Sequence, residues 1–235
     1  MNRRSFVAAL AVGSVGSLAG CSEFLAEATT FSASPATVSA EALESAGYEY
    51  EGTEELVESK EVAGREVEAT NYISEFSRDI DLGPLEIDTG DAKAGVFAVV
   101  TTPKVSVAGK NFNPIGEMSN EEVVELVQDQ YERLSVDGSS GEREVDAFGK
   151  PIDVETFEGE ATLAGEQGVD VLIDVSKPDH DDDHLVLLGV YPDRVPEEAD
   201  RIDTLIEGLE HGDDVDVDID GADEDEEGEG NESDE

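Results

Sequence analysis

One cysteine, Cys21, stands in 235 residues. No intramolecular disulfide can form, so its thiol has no structural partner within the chain. Tryptophan is absent and lysines number only six. Fourteen basic residues face 60 acidic ones, for a formal net charge of −46. A surface of that sign repels phosphate backbones and anionic headgroups, which excludes nucleic-acid binding as a role. The uncharged run near the start is too short and too rich in Gly and Ser for the roughly 20 apolar residues that a membrane-crossing helix requires. Familiar catalytic signatures are missing too: no G-x-S-x-G, no phosphate-cradling Walker loop, no HExxH, no G-x-G-x-x-G opening a helix. Three histidines in loop-like positions offer little to a Ser–His–Asp triad.

What the chain does have begins at its start. Arg3 and Arg4 are followed by Ser5 and Phe6, a twin-arginine export pattern. Residues 7–20 carry no charge and read as the apolar region of a signal peptide. Leu18-Ala19-Gly20-Cys21 resembles a lipobox, where a lipid joins the cysteine thiol and the chain is cut before it. Two lipid chains hold a protein stably where one holds it only marginally. Cys21 is therefore the expected lipidation site, and Arg3, Arg4 and Phe6 the export signal. The expected partner is the membrane, and the expected place its extracytoplasmic face. Residues 1–20 read as signal peptide, 21–30 as lipidated tether, 31–211 as one domain and 212–235 as a disordered acidic tail.

The body is acidic as well as the tail. Residues 21–211 hold 46 acids against 12 bases, and the tail adds fourteen acids and no base. Such charge opposes compaction through self-repulsion. Molar salt shortens the screening length to about 3 Å and removes most of that cost. The composition looks haloarchaeal.

The pattern of the body predicts an α+β domain: a mainly antiparallel sheet with two main amphipathic helices. Residues 31–38 read as a strand with Pro35 on an edge. Ser39 and Gly47 bracket a short helix. Residues 48–80 read as a hairpin of two long strands turning at Ala63-Gly64, and residues 81–93 as a loop. The run from Ala94 through Val100 is a buried central strand. Ser119 and Glu122 form a capping box for a helix over residues 120–134. Four further strands follow, with turns at 138–141, 149–151, 165–168 and 178–183. A last helix opens at Pro196 and ends at His211-Gly212.

The segment AGVFAVVTTPKVSVAGKNFNPIGEMSNEEVVELV, with Pro35-Ala36-Thr37-Val38-Ser39 and Gly47-Tyr48-Glu49, resembles a family of haloarchaeal twin-arginine lipoproteins of unknown function. The resemblance covers roughly residues 1–206. It implies a cell-surface lipoprotein with one extracytoplasmic domain. It brings no activity, ligand or site residue.

Two stretches carry ligand chemistry. The loop Pro178-Asp179-His180-Asp181-Asp182-Asp183-His184 combines carboxylates and imidazoles, and His180, His184, Asp181 and Asp183 are its candidate metal ligands. A solvated polar turn between two strands explains the same residues. In the tail, Asp216, Asp218, Asp220, Gly221 and Glu227 match an EF-hand loop formally, without the flanking helix. Weak Ca²⁺ or other divalent cation binding is expected there, and no bound cofactor. The leading reading is a non-enzymatic, lipid-anchored binding or envelope-structural domain with an unknown protein partner. An enzyme with an unrecognised site, or a metal-handling lipoprotein using residues 179–184, stand as alternatives.

Overall fold

A strand that is apolar at nearly every position needs cover on both faces. The computed structural model provides it; it describes residues 29–62, 65–80, 95–107, 110–130, 134–162, 168–195 and 197–220. The export signal, Cys21, the Ala63-Gly64 turn, the 81–93 loop and the tail beyond Asp220 lie outside these residues.

In chain order the elements are β1 (Thr29–Ser32), β2 (Ala36–Val38), α1 (Ala40–Ala46), β3 (Glu49–Val62), β4 (Arg65–Arg78) and β5 (Gly95–Pro103). A small hairpin, β6 (Ser106–Val107) and β7 (Lys110–Asn111), precedes a 3-10 turn (Pro114–Gly116) and α2 (Asn120–Gln130). Then come β8 (Leu134–Ala147), β9 (Lys150–Thr162), β10 (Gly168–Ser176), β11 (Asp179–His180) and β12 (Asp183–Pro192). The described chain closes with α3 (Glu197–Glu207), β13 (Leu209–His211) and β14 (Ile219–Asp220).

Ten strands form one sheet in the order β14-β3-β4-β5-β12-β10-β9-β8, with β1 beside β4 and β11 beside β12. Pairing is antiparallel except for β1 with β4 and β14 with β3. Two cores sandwich it. Phe97, Val99, Leu185 and Leu187 pack with Ala42 of α1 and with Ile202, Leu205 and Ile206 of α3. Val100, Val186 and Leu188 pack with Val123, Val124 and Val127 of α2 on the opposite face. The α+β expectation with a mainly antiparallel sheet therefore holds, and helices cover both faces.

Caps behave as the sequence indicates. The Ser39 side chain accepts from Ala42 N, and Gly47 closes α1 at φ 71° with its N–H on Leu43 O. Ser119 N donates to Glu122 Oε2 at 2.7 Å and Glu122 N donates to Ser119 Oγ at 3.2 Å, a complete capping box.

Several boundaries differ, each for a tertiary reason. Pro35 divides the expected 31–38 strand in two: β1 joins β4 while β2 joins β13. Leu134, the expected end of α2, belongs instead to β8: it pairs with Ala161 of β9, and Gln128 Oε1 takes the Val136 N–H at 2.7 Å. The glycines at 138–141 make no turn. β8 runs through them, absorbing its extra residues as register shifts after Val136 and Ser139. The turn is Phe148-Gly149, both at positive φ (54° and 74°), as a two-residue hairpin requires. Pro151 sits within β9; the β10 ladder begins only at Glu155, so no bond is lost on that side.

α3 ends at Glu207, four residues before His211. Gly208 follows it: a Cβ there would lie 2.2 Å from the Ala42 Cβ, so only glycine lets α3 close onto α1. Leu209 to His211 then pair with β2. Nor is the beginning of the tail disordered. Thr53 N donates to Asp218 O at 3.0 Å, and β14 runs alongside β3. This pairing uses the first part of the EF-hand match as extended chain, not as a loop.

Two buried carboxylates fix α3 to the sheet. Asp174, with 1% of its side chain exposed, meets Arg143 through Nη1 at 3.0 Å and Nη2 at 2.7 Å. Thr156 Oγ1 (2.6 Å) and Tyr191 OH (2.9 Å) donate to the same carboxylate. Arg143 also binds Asp203 of α3, through Nε at 2.9 Å and Nη2 at 2.7 Å. Glu198, in the first turn of α3, is fully buried and contacts Arg78; Arg201 Nε lies at 3.4 Å and Tyr48 OH at 3.2 Å. Burial pushes the Tyr48 hydroxyl up to about 12, against the pull of Arg78 and Arg201.

Removing one partner of a buried ion pair strands the other charge. Arg143→Met should lower the unfolding free energy by about 3–5 kcal/mol in a denaturant titration, and adding Asp174→Asn should restore part of it. An unchanged midpoint for Arg143→Met would mean that the network contributes no net stability.

Candidate functional site at the β11–β12 hairpin

A two-residue turn, Asp181-Asp182, reverses the chain between β11 and β12. Asp181 takes φ 49°, a left-handed conformation that Asp tolerates better than most residues. Lysines brace the hairpin through its backbone: Lys104 Nζ donates to Asp181 O at 2.7 Å and Lys150 Nζ to Asp179 O at 2.6 Å. Cross-strand register pairs His180 with Asp183 and Asp179 with His184. Directly paired residues share a face and successive ones alternate. The four residues expected to act together are therefore divided.

His184 turns to the α2 side. Its Nδ1 lies 2.6 Å from Asp179 Oδ1, while its Nε2 is buried and has no hydrogen-bond partner among the described residues. A small cavity of about 30 Å³ adjoins it, lined by Ile115, Gly116, Lys177, Asp179, His184 and Leu185. Burial opposes ionisation of Asp179, but the His184 bond and the Lys104 ammonium outweigh it and hold its pKa below the ordinary range.

His180 and Asp183 turn to the α1/α3 side and meet a residue absent from the expected set. His211, carried there by β13, has 1% of its side chain exposed. Its Nε2 lies 3.0 Å from Asp183 Oδ2, which also accepts the Ser34 N–H at 2.8 Å. Its Nδ1 lies 2.8 Å from His180 Nδ1. Asp181 Oδ2 is 3.6 Å from that same His180 nitrogen. His180, Asp181 and His211 thus place one ligand atom each within 4.8 Å of one another. Phe148, from the β8–β9 turn, stacks on the His180 ring at 4.1 Å and meets His211 edge-on at 6.3 Å. Burial lowers the His180 pKa; Asp181 opposes this, while His211, Lys150 and Lys104 add to it. His211 is missed from sequence because it reads as the end of α3. The signal for it is Gly208, a stop that frees Leu-Glu-His to alternate as a strand.

A second feature lies beyond the 3-10 turn. A groove of about 230 Å³ opens between the β3–β4 hairpin and the chain after β5. Val67, Ala69, Val105, Phe112 and Pro114 wall it, and Asn71 is among its polar residues. Burial raises the pKa of Glu58 at its side, with Lys60 pulling the other way. Among the described residues, no Ser or Thr hydroxyl bonds to a histidine ring.

A family model matches residues 35–210, three quarters of the chain. The chain belongs to DUF6517, a family defined by a domain of unknown function. No curated protein matches it. The DUF6517 match opens at Pro35 and closes at Glu210, the stretch that begins just before β2 and ends within β13. It contains His180, Asp181, Asp183 and the groove; His211 follows its last residue.

Proposed function

We propose that this DUF6517 protein is a lipid-anchored binding domain on the extracytoplasmic face of a haloarchaeal membrane, exported already folded through the twin-arginine route. Arg3, Arg4 and Phe6 direct export, and a two-chain lipid on Cys21 holds the mature protein. The absence of any other cysteine supports folding before export, since nothing has to be oxidised outside. The surface charge suits molar salt, where the repulsion among its carboxylates is screened. Its role is binding, not catalysis, and the observation that carries this is the apolar groove beside β4. Concave apolar walls with a few polar groups suit a small apolar or amphipathic molecule.

Three measurements bear on this reading. Membranes washed in high salt should retain the wild-type chain and release Cys21→Ala; retention of the variant would remove the lipid anchor from the account. The melting temperature should rise steadily with KCl, and a transition indifferent to salt would count against halophilic adaptation. A neutral apolar fluorophore, N-phenyl-1-naphthylamine, should brighten saturably with the wild type and stay dim with Ala69→Phe, which fills the groove. Equal brightening by both would dismiss the groove as the binding place.

A further inference from the structure

The imidazole pair at the β11–β12 hairpin carries a ligand assignment that is independent of the anchor and of the groove. Asp183 is a buried carboxylate. A carboxylate only accepts hydrogen bonds, so the His211 nitrogen facing it at 3.0 Å, Nε2, carries the proton. A neutral imidazole has a single N–H. Nδ1 of His211 is therefore the bare nitrogen, and it points at His180 Nδ1, 2.8 Å away. The Ser34 N–H, also on Asp183 Oδ2, keeps that carboxylate in place. A carboxylate holding one ring nitrogen so that the other presents a lone pair is the usual outer-shell device behind a histidine metal ligand. Phe148, stacked on His180, fixes the orientation of the second ring.

Spacing agrees with this. Nitrogens bound at about 2.0–2.1 Å to a tetrahedral ion stand roughly 3.3 Å apart. To reach it the two nitrogens part by about half an ångström, the rings turn so that both lone pairs converge on the ion, and the proton that His180 Nδ1 donates in the observed contact is carried instead on His180 Nε2; Asp181 Oδ2 stands beside the same His180 nitrogen. We infer that His180 Nδ1, His211 Nδ1 and the Asp181 carboxylate bind one divalent transition-metal ion, with Asp183 as a positioning residue acting through His211. Two imidazoles and one carboxylate favour Zn²⁺, Ni²⁺ or Co²⁺ over Ca²⁺ and Mg²⁺, which prefer all-oxygen shells. Three protein ligands leave a coordination position for water or an exchangeable group. Asp181, with 75% of its side chain exposed, is the entry side. Lys104 and Lys150 add positive charge nearby, but their ammoniums are bonded to the carbonyl oxygens of Asp181 and Asp179 and hold the hairpin in shape.

The test uses the full-length protein, solubilised in high salt and titrated with CoCl2, whose visible absorption reports imidazole coordination. The expected result is saturation at one ion per chain, with the spectrum displaced by ZnCl2 and unaffected by excess CaCl2. His180→Ala and His211→Ala should each abolish it. Asp183→Asn should weaken the metal by 10–100-fold while the spectrum at saturation is retained. His184→Ala, on the opposite face, should bind like the wild type. His180 is partly exposed, so His180→Ala keeps the test decisive if His211→Ala fails to fold, and near-ultraviolet circular dichroism monitors both. Absence of saturable binding would leave the pair as a ring-to-ring hydrogen bond and overturn the assignment. Binding that persists in His180→Ala, or disappears in His184→Ala, would overturn it equally.

Discussion

The position of α3 depends on two carboxylates that the fold takes out of water. Asp174 belongs to the sheet and Glu198 to the helix, and each is met by arginine from the other layer or from beside it. An unpaired charge at either place would cost several kcal/mol, so the arginines and the layer spacing are mutually dependent. With α3 in place, Gly208 can close on α1, β13 can reach β2, and His211 can reach Asp183. Arg78, Arg143 and Arg201 are a substantial share of 14 bases, and the fold commits them to buried acids. Buried pairs are screened far less by salt than surface ones. A medium salty enough to quiet the surface therefore leaves these attachments in force.

The sheet-rich fold was legible wherever local chemistry and tertiary structure agree. Ser39 and Gly47 bracket α1, and Ser119 with Glu122 opens α2, because caps act within a few residues. β5 reads correctly from its apolar run, since both of its faces are covered. Sequence reading failed where a distant partner decides. Nothing local shows that the glycines at 138–141 continue as a strand, because β9 supplies the ladder. Nothing local shows that Leu134 leaves the helix for β8, because its partner is Ala161.

The histidine cluster was half legible for the same reason. A His/Asp-rich turn between strong strands is visible in the sequence, but a period of two sends His180 and His184 to opposite faces. The third ring comes from 31 residues further on, by way of a three-residue strand. The groove could not be read at all. Val67, Val105 and Phe112 look like ordinary core residues until the chain after β5 fails to seal against β4.

The short pairing of β14 with β3 has a consequence for assembly. A sheet has two margins, and an open margin is a template on which another chain can polymerise. On one side, β8 is irregular, interrupted by two register shifts and studded with acids. On the other, Ile219 and Asp220 occupy the edge of β3 opposite Thr53 and Glu54. Only three residues on from Glu54 lies Val57, a large apolar side chain that is 52% exposed. The start of the acidic tail thus works as an edge guard. Proteolytic loss of the chain from Asp218 onward would free the backbone of Thr53 and Glu54 and lengthen the open margin of β3 on which another strand could pair.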